Sequence, residues 1–264
     1  MEVKRHGYRP LMRALCFLVA WVFGIVFISY ILFYFSCAFL SWLFAASYTF
    51  ILCSTFCYFF EEKSVWDLGL RVGKSSVLNF VLGVFVGMSM ITTVFLLEYG
   101  LRLVIVELNS GFDIIYLIYG LLMSLFVGFM EELVFRGYFF QNALLSLDEN
   151  LSILLSSIIF GLMHIFNPHV SFLAVIVISV IGVLLAICYL KTQTLYLPMG
   201  VHFAWNFFEG FVYGFPISGN KVQGFLITRV EGSTWLTFSK TPGSTSFMSS
   251  SEALSMAASS LDAR

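Results

Sequence analysis

Glu131 and Glu132 stand side by side in an otherwise apolar run, and Arg136 follows one helical turn later. A charged group inside hydrocarbon costs several kcal/mol unless it is paired or faces water, so intramembrane acids point to function. Helical spacing puts Glu132 and Arg136 on one face, where an ion pair neutralises both. Glu131 is rotated about 100° from Glu132 and can point elsewhere, which leaves it free for proton transfer. Four histidines occur; His6 and His169 lie near an end or a turn, while His164 and His202 fall within apolar segments. Glu131 lies 17 residues before Asp148 and His164 lies 16 after it. If residues 146–150 form a hairpin, the two reach the same depth on antiparallel helices at about 1.5 Å per residue. His202 and Asn206 are four apart on a later segment and share a face; Asn206 is a neutral donor suited to a developing oxyanion. Phe160, one turn before His164, is placed to pack on its ring, and Glu209 falls on roughly the face of Asn206.

The elements that position these groups follow from composition. The 264 residues are 59% hydrophobic and 11% charged, with a mean hydropathy of +0.93. That is more apolar surface than one soluble core can hide. Residues 14–60 contain no Asp, Glu, Lys or Arg, and one helix needs only about 20 residues to cross the hydrocarbon. The reading is an all-α, polytopic membrane bundle of about seven transmembrane helices (six to eight), near 14–35, 38–60, 77–97, 114–145, 151–167, 171–190 and 196–215. Residues 1–60 are a basic segment and two helices, 61–76 an interfacial linker, 77–216 the membrane-embedded core and 217–264 a polar tail rich in Ser, Gly and Thr. The apolar run behind Lys4, Arg5, Arg9 and Arg13 is too long for a cleaved signal and reads as an anchor. Those four cations, with Lys63, Arg71 and Lys74 after the second span, place the N-terminus in the cytoplasm of a multi-pass cell-membrane protein. Seven spans leave the tail from Ile217 outside, against its Lys221, Arg229, Lys240 and Arg264; an eighth or a missing span reverses that side.

The net charge of -1 and the lack of a basic stripe give no reason for nucleic-acid binding. None of the five cysteines forms a C-x-x-C pair, which argues against a zinc ribbon or a redox motif. The expected partners are the bilayer and a membrane-associated protein or peptide.

Glu131-Glu132-x-x-x-Arg136, Phe160-x-x-x-His164 and His202-x-x-x-Asn206, in this order on successive membrane segments, resemble the CPBP family of type II CAAX prenyl endopeptidases and their relatives in bacteriocin processing or immunity. Each motif alone is weak; together they are specific, and the resemblance covers about 114–219. It implies an intramembrane endopeptidase in which Glu131 activates water with His164 while His202 and Asn206 support the oxyanion, with Glu132, Arg136 and Phe160 as structural support. His, His and Glu are also zinc-ligand types, but H-E-x-x-H is absent, so the favoured expectation is a glutamic-type enzyme with no cofactor. The rival class is a non-enzymatic scaffold or bacteriocin-immunity factor on the same fold. A proton-coupled transporter is a third, lowered by the lack of an internal repeat.

Overall fold

The structure is a computed structural model and describes residues 7–33, 38–168 and 170–230. Long apolar runs without helix breakers become long helices: α1 Arg9–Phe33, α2 Ala38–Glu61, α3 Lys74–Gly100, α4 Ile114–Glu132, α5 Phe140–Ser146, α6 Glu149–Met163, α7 Phe172–Thr192 and α8 Tyr196–Asn206. Their starts are set by caps. Asp113, Asp148 and Ser171 each accept a hydrogen bond from an otherwise orphaned backbone N–H at the head of α4, α6 and α7. Among the described residues, six helical rods are long and apolar enough to cross a membrane, the longest being Ile114–Ser146, which joins α4 to α5. The helix that continues from α8 to Val212 is shorter than these six.

Two stretches widen to π-helix: Leu133–Phe139, between α4 and α5, and Phe207–Val212, after α8. Each directly follows motif residues, and such widenings gather at functional sites. All seven residues from Leu133 to Phe139 are buried, so this segment is the centre of the bundle. Although the linker separates the α1–α2 hairpin from the core in sequence, the hairpin packs on this centre. Phe17 meets Tyr138 with ring centroids 4.4 Å apart and Trp21 meets Phe135 at 5.9 Å.

Without a hydrophobic drive between helices in lipid, close contact requires small residues. A Cβ on Gly200 would lie 2.2 Å from the Phe80 carbonyl oxygen, and one on Gly87 2.3 Å from that of Val201, so α3 and α8 touch backbone to backbone. Gly161 and Gly182 do the same for α6 and α7.

The linker forms a 3-10 turn, Val65–Leu68, with Val65 and Leu68 buried and Trp66 half exposed. Asp67 accepts a bond from the Arg71 guanidinium, which holds its carboxyl below the usual range. One feature has no counterpart in the all-α expectation. β1 (Val104–Leu108) and β2 (Leu226–Val230) form an antiparallel ribbon, with Val104 opposite Val230 and Leu108 opposite Leu226. It sits on Phe95, Tyr213 and Phe215 at the end of the bundle where α3 finishes. The part of the expected tail beyond residue 230 lies outside the described residues.

Candidate active site

The three motifs meet. Glu131 and Glu132 close α4, His164 opens the 3-10 turn after α6, and His202 and Asn206 lie on α8. Nε2 of His164 stands 4.0 Å from Glu131 Oε2, and Nε2 of His202 stands 3.8 Å from the same oxygen. Both distances exceed a direct hydrogen bond. Glu131 Oε2 has no hydrogen-bond partner among the described residues. The antiparallel hairpin around Asp148 therefore brings Glu131 and His164 together at the depth that their equal spacing implies.

Glu132 faces the other way, into protein. Its Oε1 lies 3.2 Å from Arg136 Nη1, and both side chains are buried. Arg136 Nη2 donates to the Gly182 carbonyl at 3.1 Å, across to α7. The guanidinium also lies over the Phe160 ring, 4.3 Å from its centroid, a favourable cation–π geometry. The same ring meets His164 edge-on at 5.0 Å and His202 at 6.0 Å. Phe160 thus contacts the cation and both imidazoles, a wider role than packing on His164 alone.

Glu132 has a second partner that motif spacing does not reveal: His202 Nδ1 donates to its Oε1 at 2.8 Å. That bond fixes the ring and turns Nε2 towards Glu131. His164 is fixed in a parallel way, because its Nδ1 lies 2.8 Å from the Phe160 carbonyl oxygen. A carbonyl only accepts, so the proton sits on Nδ1 and, in the neutral ring, Nε2 presents a lone pair.

Asn206 is 9% exposed and shares with His164 and His202 the wall of a cavity of about 170 Å³. Glu209 lines the same cavity, beside Trp205. The opposite wall is a stripe of α7, from Ala174 through Ile178 and Ile181 to Leu185. Neither this wall nor the Gly182 carbonyl was visible from the motifs. A glycine within the apolar run of α7 is the sequence signal that marks the close approach.

Residues 113–208 match the family model described as Type II CAAX prenyl endopeptidase Rce1-like. This segment is similar to that family. The matched segment, similar to a protease family, holds all three motifs, from Glu131 to Asn206, while both ends of the chain lie outside it. No curated protein and no solved structure matches the chain.

A zinc ion at this site would draw two imidazole nitrogens and a carboxylate oxygen to about 2.0–2.2 Å from one point. No group of three or more His, Cys, Asp or Glu fits a metal ion among the described residues.

Proposed function

We propose that the chain is an intramembrane endopeptidase of glutamic type, hydrolysing a peptide bond of a membrane-associated or lipidated protein or peptide. The observation that carries this reading is the convergence of His164 Nε2 and His202 Nε2 on one oxygen of Glu131, within 4.0 Å, beside a cavity. A water held between Glu131 Oε2 and the bare Nε2 of His164 gives one proton to Glu131 as its oxygen bonds to the scissile carbonyl carbon. The carbonyl π pair moves to oxygen and forms an oxyanion. The Asn206 amide donates to that oxyanion, and so does His202 when Nε2 carries a proton while Glu132 holds Nδ1. Collapse restores the carbonyl and breaks the C–N bond. Glu131 then returns its proton to the leaving amine nitrogen.

The division of labour between the two acids supports this reading. Glu132 gives its Oε1 to both Arg136 and His202, whereas Oε2 of Glu131 faces the two imidazoles beside the cavity without a direct hydrogen bond. A scaffold has no use for a carboxylate oxygen set between two imidazoles beside a cavity at this depth.

The test is a comparison of membrane-peptide profiles from cells that carry the wild type or Glu131→Gln at equal membrane abundance. New peptide ends that depend on Glu131 support proteolysis and identify the substrate. Identical profiles from two equally abundant proteins would overturn it. Metal analysis of the active, purified protein belongs beside this test: activity lost to a chelator and restored by zinc would replace the glutamic mechanism with a metal one.

A further inference from the structure

The helix order assigns each connection to one end of the bundle. α1, α3, α6 and α8 start at one end, and α2, α5 and α7 finish there. That end carries Arg9, Arg13, Lys63, Arg71, Lys74 and Lys191. The other end, where α3 finishes and α4 and α7 begin, carries Arg102, Lys221 and Arg229 among the described residues. Six cations against three, most of the six within a few residues of a helix end, follow the rule that Lys and Arg in short connections stay in the cytoplasm.

The cavity opens at the opposite end. Its outer rim is formed by Asn167, Pro168 and Ser171, in the connection before α7, and by Pro216, Ser218 and Gly219, beyond α8. The two rims touch: a Cβ on Gly219 would fall 1.8 Å from the Pro168 carbonyl oxygen, and Gly219 has φ +80°. From there the cavity runs inward along α7 to Leu185 and to Phe160 and Val201. No residue of the connections at the cation-rich end, 62–73, 147–148 or 193–195, lines it. α6 is 15 residues long, so His164 lies roughly 22 Å from the cation-rich end at about 1.5 Å per residue.

We propose that the substrate enters through the Ser171–Ser218 rim from the extracytoplasmic side, so that the bond cut belongs to an extracytoplasmic or outer-leaflet segment of a membrane-bound peptide rather than to a cytoplasmic tail. The cleavage itself rests on the proposed function; the side from which the cavity is reached does not. Ser218 and Ser171 flank the path that such a peptide must follow, and Glu209 lies further along it, towards His202.

The experiment places a single cysteine at Ser218 or at Lys74 in a chain whose five native cysteines are replaced by alanine, and treats intact cells with a membrane-impermeant maleimide. Ser218→Cys should label in intact cells at least tenfold more than Lys74→Cys, and Lys74→Cys should label only after permeabilisation. The reverse pattern would overturn the proposal. Because the cysteine-free chain can fail to accumulate, the full native chain is also fused after Arg264 to alkaline phosphatase or to a fluorescent protein that matures only in the cytoplasm. Phosphatase activity is expected, and cytoplasmic fluorescence would overturn the proposal. Neither readout needs proteolysis, so an absent cleavage product with outside labelling sinks the proposed function and leaves the side of access standing. Alkylation of Ser218→Cys in intact cells should also stop the processing that Glu131→Gln stops; processing that continues at the wild-type rate through an alkylated rim would count against this route.

Discussion

Two polar islands lie within the apolar bundle, and they treat their acids differently. Near the cation-rich end, Glu61 accepts from Asn142 Nδ2 at 2.7 Å and pairs with Lys63 at 2.5 Å. In the same region the Leu11 backbone N–H donates to Ser146, and Arg13 bonds the Phe60 carbonyl. These contacts pin α1 and α2 to α5. In the other island, around Arg136, Glu132 is bound to Arg136 and His202, while Glu131 keeps an oxygen without a protein partner between two imidazoles. Burying polar groups is costly in both places, and pairing lowers that cost. The first island spends its pairing on holding helices together. The second uses it to fix Arg136 and His202 around Glu131, which itself fastens no helix, and that difference separates a fastening from a reaction centre.

The comparison is broken most directly at Glu131. Glu131→Gln keeps the shape and removes the base, so we expect cleavage of an identified substrate to fall by about 10²–10⁴-fold while thermal unfolding in detergent is unchanged. A comparable loss of stability would place Glu131 with the fastenings. Arg136→Ala should act in the opposite sense, because it strands buried Glu132 without its cation and removes the bond to α7. A loss of about 3–5 kcal/mol is expected, read as a lower unfolding midpoint and reduced membrane abundance. A fully stable Arg136→Ala would mean that the ion pair holds nothing. Asn206→Ala tests the far wall of the cavity: kcat should drop by about 10²–10³-fold with KM little changed. A rise in KM alone would make Asn206 a binding group rather than an oxyanion donor.

The sequence is most legible where a single physical rule suffices. Hydropathy locates the spans, and the observed α1, α2 and α3 overlap the expected 14–35, 38–60 and 77–97. The pairing of Glu132 with Arg136 follows from helical spacing, and the meeting of Glu131 with His164 follows from their near-equal separation from the turn at Asp148. Contacts between segments distant in sequence leave no such trace. The bond from His202 to Glu132 joins residues 70 apart and depends on how α8 is rotated against α4. The acceptor for Arg136 Nη2 is a backbone carbonyl, which every residue possesses, so sequence cannot single out Gly182. The β1–β2 ribbon escapes for a related reason. Each strand has only five residues, and β1 becomes a strand by pairing with a partner about 120 residues later rather than by a strong local pattern. The two π-helical stretches have ordinary helical composition and are also silent.

The smallest expected effect lies in the fastening island. Asn142 is buried on α5, where its amide donates both to Glu61 and, at 3.0 Å, to the Tyr138 carbonyl. Asn142→Ala leaves the partly buried Glu61 carboxylate short of a donor but still beside Lys63, so the loss should be about 1–3 kcal/mol, below that for Arg136→Ala. Glu61 and Asn142 lie at the end of the bundle away from the cavity rim, so turnover per folded molecule should match the wild type once the amount of folded protein is measured. If Asn142→Ala instead lowered turnover per folded molecule as much as Asn206→Ala does, the two islands would be coupled through the π-helical segment between them. The contrast between fastening and reaction centre would then have to be replaced by a single polar network running the length of α4 and α5.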